Sequence, residues 1–357
     1  MVSGVFVLVA LYVSVKLIRN HLKYFTKPGV QRKIIGILWM VPIYATTSWL
    51  SLRFKSWSLL FDMMRDCYEA YVIYLFLALM VAYLGDGSDE RVVRILMTLP
   101  DLPHPFPFNY WNKPIKMDSS FLRDCKMAAM QFVVLKPLTG FLAILLEHFD
   151  LYAQGEFVLN RGYLYISIIL NASVTYAFYY LVLFYLALGT HLKPYKPVPK
   201  FLCVKAVLFL SYWQSVVLAF LSKFEIIHQV GSWTTNDVTM GIQNVLICFE
   251  MMVIAFVHTH AFPYDEYKDY AESLETSSLR DSILSENFAF DDAVRDFNEV
   301  MPIVLPSGFK PSSNTRRSEK VIAPGVKLPP KQVTPVAYKN TKKTPLEPVD
   351  ADRGWKL

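Results

Sequence analysis

The sequence is poor in the features that mark soluble catalysts and secreted scaffolds. It holds four cysteines in 357 residues, Cys67, Cys125, Cys203 and Cys248. None forms a C-x-x-C pair and no two share a loop, which argues against a disulfide framework or a cysteine-built metal knuckle. The phosphate loop G-x-x-x-x-G-K-[ST] is missing, so pumping driven by ATP bound to this chain has no support. H-E-x-x-H and H-x-x-x-H pairs are missing, and no serine occupies a G-x-S-x-G turn. No catalytic, metal or cofactor site is therefore expected. Charge is scarce as well: Asp, Glu, Lys and Arg make up 18% of the chain, with a net excess of +6. The basic residues fall in loops and in the tail, in no pattern specific for nucleic acid.

What is abundant is apolar. Hydrophobic residues reach 54% and aromatic ones 15%. They gather into seven runs: Val2 to Ile18, Ile34 to Leu52, Cys67 to Leu84, Met127 to Leu146, Tyr163 to Gly189, Val204 to Ser222 and Ile242 to Ala261. A hydrocarbon core about 30 Å thick needs about 20 helical residues. The expected fold is all-α: a polytopic membrane protein with a seven-helix bundle over 1–261, in contact with membrane lipids. Trp39, Trp49, Trp57, Tyr83, Tyr110, Trp111, Tyr163, Trp213 and Trp233 lie near span ends, where rings suit an interfacial belt. Plain helix packing explains any one of them as well. The first run lacks a basic flank and a small-residue cleavage site, and reads as a retained signal anchor with Lys16 reaching toward the interface.

Basic residues in short loops set orientation. The odd loops and their flanks carry sixteen Lys and Arg, the even ones five. The N-terminus is expected outside and the C-terminal tail in the cytosol. Residues 262–300 form an acidic segment; from Phe262 to Glu299 it has eleven Asp and Glu against three Lys and Arg. Phe290, Val294, Phe297 and Met301 recur at helical spacing there and predict a short amphipathic helix. Residues 301–357 are rich in Pro, Lys, Ser and Thr and too poor in apolar groups to fold, so a disordered basic tail is expected.

Ionisable and amide side chains inside spans are costly and are functional candidates. Lys136, Asn171, Gln214 and Glu250 each fall within about a turn of the middle of their runs. Their convergence predicts a buried polar site, with Lys136 and Glu250 close enough to interact. Such a site binds a solute or ion, or it is an ion pair with amide glue. Pro137 after Lys136 frees a backbone carbonyl and invites a kink. Glu69 lies about one turn inside the third run and lines a vestibule or reaches the interface. His258 and His260 are two apart and do not share a helical face; interfacial positions are expected for both. Cys125 and Cys203 stand at span starts, where palmitoylation is physically feasible, though ordinary packing is the better expectation.

Five stretches carry a family resemblance: "RDCYEAYVIYLF" at Arg65–Phe76, "MQFVVLKP" at Met130–Pro137, "NASVTYAFYYLVLFY" at Asn171–Tyr185, "LKPYKPVPKFLCVKAVLFLSYWQ" at Leu192–Gln214 and "NVLICFEMMVIAFVHTHAFPY" at Asn244–Tyr264. In order and spacing the chain resembles the organic solute transporter alpha-subunit family, which includes transmembrane protein 184 and plant LAZARUS-like proteins. The likeness covers nearly all of residues 1–264 and not the tail. It implies a seven-helix protein that moves organic solutes. In the bile-acid branch it implies steroid conjugates and a separate single-span beta subunit. The long polar tail and the Y-E-A-Y run look closer to the other branch, which is linked to endomembrane or vacuolar roles. The motif positions carried over are Glu69, Lys136, Asn171, Lys205, Gln214 and Glu250.

Two functions follow as alternatives. One is facilitative transport of organic solutes, amphipathic or steroid-like anions among them, at the plasma membrane or an endomembrane. The other is a seven-helix receptor or scaffold, which the absence of D-R-Y and N-P-x-x-Y marks disfavours. Partners are the solute, lipids, and either a second copy of the chain or a single-span beta-type subunit.

Overall fold

The structure, a computed structural model, describes residues 2–85, 88–105, 108–110, 113–152, 158–224, 226–229, 231 and 234–268. The chain divides into two units, 1–304 and 305–357; the second lies wholly outside the described residues, as does the expected helix around Phe290 and Met301. Among the described residues the protein is all-helical, with a single antiparallel bridge between Leu102 and Ile115. The helices are α1 (Val2–Lys23), α2 (Pro28–Leu38), α3 (Met40–Arg53), α4 (Ser58–Gly85), α5 (Asp89–Leu96), α6 (Ser119–His148), α7 (Gly162–Leu192), α8 (Pro197–Lys223) and α9 (Thr235–Ala261).

Six helical stretches among the described residues are long and apolar enough to cross a membrane, with α2 and α3 acting as one stretch over Pro28–Arg53. The sixth expected run falls on α8, which is 27 residues long; among its described residues Trp213–Ser222 forms a shorter apolar stretch. The second run is broken at Trp39. Pro42 lacks the N–H that would bond the Leu38 carbonyl, and the break falls between those two residues. Bonds from Trp39 N to Ile35 O and from Ile43 N to Trp39 O, both 3.1 Å, carry the axis across it.

The second half of α4 is the pillar of the bundle. From Val72 to Ala82 every residue is buried, as expected for a helix that is apolar all round. It packs on α2, α3, α6, α7 and α8. Approach to α2 is close: Tyr68 Oη donates to the Gly36 carbonyl at 2.5 Å, and a Cβ on Gly36 would lie 2.6 Å from Leu75 Cδ1. Helices α6 and α7 pair with each other, while α9 packs on α1, α3 and α8.

Polar side chains fasten the ends. Gln31 is fully buried between α1 and α2. Its Oε1 accepts from Thr26 N at 2.7 Å and Lys27 N at 2.8 Å. Its Nε2 donates to His21 O at 3.2 Å and Tyr24 O at 2.9 Å. At the same end His21 Nε2 bonds the Phe262 carbonyl at 3.1 Å, and Lys200 Nζ donates to Tyr83 Oη at 2.7 Å. Tyr83 stacks on Tyr195 at 4.5 Å. Packing thus continues past Ala261, since Phe262 and Tyr267 are both buried.

Helix α5, which hydropathy alone did not reveal, is amphipathic. It buries Val92 and Leu96 and reaches α6 through Lys126 and Asp89 at 2.5 Å. Asp118 caps α6, accepting from Ser120 N at 2.9 Å and Phe121 N at 3.2 Å. Thr234 opens α9 with a capping box that includes Asp237. Thr234→Ala is expected to remove about 1 kcal/mol, seen as a lower thermal unfolding midpoint of the purified protein. An unchanged midpoint would show that packing alone sets the start of α9.

Candidate functional site

Four charged residues of α4, Asp62, Arg65, Asp66 and Glu69, stand at i, i+3, i+4 and i+7. Helical geometry places such residues on one face. Arg65 Nη1 lies 3.3 Å from Asp62 Oδ1, and its Nε 3.8 Å from Asp66 Oδ1. From α6, Lys136 Nζ reaches Asp66 Oδ2 at 3.1 Å. From α3, the buried Tyr44 donates its hydroxyl to Glu69 Oε2 at 3.0 Å, and Arg65 lies over the Tyr44 ring at 5.9 Å. Lys136 also attracts Glu69. Three helices therefore bring together three carboxylates and two cations, an excess of one negative charge. Each cation has a carboxylate beside it.

This arrangement corrects the expected pairing. Lys136 pairs with Asp66, not with Glu250. Asp66 precedes the apolar run of its helix, so Lys136 meets α4 before that run begins. Glu250 instead faces α8, where Gln214 Nε2 donates to its Oε1. Two turns before it along α9, Gln243 Nε2 donates to Ser215 Oγ of α8 at 2.8 Å. Asn171 joins neither group: it is on an exposed face of α7, and its Nδ2 turns back to Ser167 O at 2.8 Å. The four mid-depth residues thus divide, with only Gln214 and Glu250 brought together. Glu69 is not at an interface alone; it belongs to the α4 network.

His258 is buried rather than interfacial, at 1% exposure, with its ring edge-on to Phe262 at 5.6 Å. His260 is exposed and bonds the Phe256 carbonyl at 3.1 Å. Cys125 is buried, its thiol 3.8 Å from Tyr180 O, so acylation would require it to leave that packing. Cys203 is half-buried on α8.

A third cation belongs in the inventory. Lys205 is the ninth residue of α8, about 12 Å along its axis. Its Nζ lies 5.0 Å from the Phe178 ring of α7 and 5.7 Å from the Phe201 ring of α8. Ile73 and Phe76 of α4, Leu181 of α7 and Val204 of α8 complete the lining of this pocket. No carboxylate partner for Lys205 is found among the described residues.

The family model described as organic solute transporter Ostalpha matches residues 1–267. The chain belongs to the Ostalpha family. The match takes in all the helices described above and ends at Tyr267, the last buried residue of the described chain. No solved structure matches this Ostalpha member. It is accordingly a transmembrane protein of an organic solute transporter family, integral to a membrane and in contact with its lipids. Sequence reasoning missed Asp62, Arg65 and Asp66 in this Ostalpha chain because they precede the apolar run. Their 3-4-7 spacing ending on Glu69 was the available signal. Tyr44 gave none, since a tyrosine inside an apolar run reads as packing.

Proposed function

We propose that the protein is a facilitative carrier of amphipathic organic anions, with Lys205 as the group that recognises the charge. What carries this reading is the contrast between the two lysines. Lys136 is neutralised by Asp66 and Glu69, whereas Lys205, an exposed residue, lies over two phenyl rings and lines an apolar pocket with no described counter-charge. An ammonium on aromatic faces gains about 0.5–2 kcal/mol, less than a hydrogen-bonded anion would supply. The pocket holds about 10 Å³ as it stands, room for about one water, so a ligand with one acidic head and an apolar body would place the head on Lys205 and the body along Phe76, Phe178, Phe201 and Leu181 once α4, α7 and α8 part. The α4 network, in this reading, is the polar part of the route that must rearrange as solute passes. The tail is cytosolic and the N-terminus lies on the other side, with a second copy or a single-span beta-type subunit as the partner.

The test is flux in proteoliposomes, comparing a steroid sulfate with its uncharged parent. Losing a hydrogen bond to a charged group costs about 1.5–3 kcal/mol. Lys205→Gln should therefore weaken half-saturation for the sulfate roughly ten- to hundred-fold, leaving the neutral steroid unchanged, and Lys205→Arg should restore most of it. Equal effects on both solutes would remove Lys205 from recognition. Absence of flux for every anion tested would remove the carrier reading itself.

A further inference from the structure

The Gln214–Glu250 contact is left half-made. Gln214 Nε2 donates to Glu250 Oε1. The remaining oxygens, Gln214 Oε1 and Glu250 Oε2, are both buried and have no partner. Both are acceptors while Glu250 is ionised, so neither can satisfy the other. A bare carboxylate inside a membrane span is also costly, and the group found against it is a neutral amide. Turning the amide over does not help, because it only exchanges which carboxylate oxygen meets an acceptor.

One proton resolves both deficits. On Glu250 Oε2 it makes an O–H, turning one of the two stranded acceptors into a donor, with Gln214 Oε1 as the acceptor left open on the same partner. A metal ion would do so less well: sites for such ions gather about six oxygens, and among the described residues no group of three or more His, Cys, Asp or Glu side chains that could hold a metal is found. We propose that Glu250 is a proton-binding site, protonated in the packed state, and that the proton clasps α8 to α9.

The neighbours leave the proton as the remaining partner. The charged or titratable side chains on the elements packed against α9 are Tyr12, Lys16, Arg19, His21 and Lys23 on α1, Tyr44 and Arg53 on α3, and Lys200, Cys203 and Lys205 among the described side chains of α8. On α9 itself they are Asp237, Cys248, His258 and His260. Tyr44 is committed to Glu69, His21 to Phe262 and Lys200 to Tyr83. The interaction found on Glu250 is the bond from Gln214.

Release of the proton to water would leave a carboxylate that keeps one bond and strands the Gln214 oxygen. Hydration of that carboxylate then favours parting the helices. Because α8 also carries Lys205, nine residues before Gln214, the clasp is placed to govern the pocket. That last link rests on the carrier reading; the proton site does not.

The test therefore reads the proton directly. Infrared difference spectra of purified protein in lipid, wild type minus Glu250→Gln, at neutral pH should show a carboxylic-acid C=O band that shifts in deuterium oxide. Glu250→Gln can still form both bonds as an amide–amide pair, so it should fold and lose pH-dependence of any α8–α9 movement. Gln214→Leu guards against a misfolded variant: it should move the acid band toward that of a free acid. A carboxylate band in place of the acid band, or a spectrum that responds to sodium and not to pH, overturns the proposal. Flux that depends on Lys205 but not on pH in the wild type would overturn the link to the pocket and leave the proton site standing.

Discussion

Replacing Lys136 by methionine is expected to cost about 3 kcal/mol of stability, the lower end of the range for breaking a buried pair. The lower end applies because Asp66 keeps 40% of its side chain exposed. Without Lys136 the α4 network holds Asp62, Asp66 and Glu69 with Arg65 as the cation left among them, so like charges crowd one helical face. Lys136→Met with Asp66→Asn should recover most of the loss, whereas Lys136→Met with Glu250→Gln should not. Thermal unfolding of the four purified proteins in detergent decides it. Recovery through Glu250 instead of Asp66 would restore the pairing that depth along the helices first suggested.

Gln31→Leu is expected to be the more damaging change, at about 4 kcal/mol, because one buried side chain closes four backbone hydrogen bonds worth about 1 kcal/mol each. It would leave Thr26 N, Lys27 N, His21 O and Tyr24 O to find new partners where α1 turns into α2. Gln31→Glu keeps the acceptor but buries a charge and turns a carboxylate oxygen toward the His21 and Tyr24 carbonyls, so it should recover none of the loss. Yield of membrane-inserted protein and unfolding midpoint are the measurements. Near wild-type values for Gln31→Leu would show that helix packing, not this side chain, holds the turn.

The helices could be read from the sequence because hydropathy reports directly on what crosses a membrane. Their ends could not be read as well: α6 begins at Ser119, eight residues before its apolar run, because Asp118 caps it and Lys126 is held by Asp89. The candidate site was legible in kind but not in partnership. Counting along a helix gives depth and says nothing of which way a side chain turns or which helix it meets. Lys136 and Glu250 share a nominal depth, yet α6 packs on α4 and α7 while α9 packs on α1, α3 and α8. Asn171 has the depth and the wrong face. Gln31 escaped notice because an amide beside a Pro-Gly turn looks like an ordinary loop residue until its four bonds are seen.

The packing of α1 against α9 has a consequence for how the protein is made. His21 and the Phe262 carbonyl it bonds are 241 residues apart. At about 5–20 residues per second, roughly 10–50 seconds of synthesis separate the two partners. During that interval the first helix sits in the bilayer with α2 and α3 for company and its α9-facing stripe turned to lipid. A chain stalled or cut before α9 would keep that stripe open. It would present Ser14, buried in the finished bundle, to the surveillance machinery as a polar group in oil, and would leave the bond from His21 to the Phe262 carbonyl unmade. Completion of α9 is then the event that hides α1, and premature termination anywhere upstream should mark the product for removal.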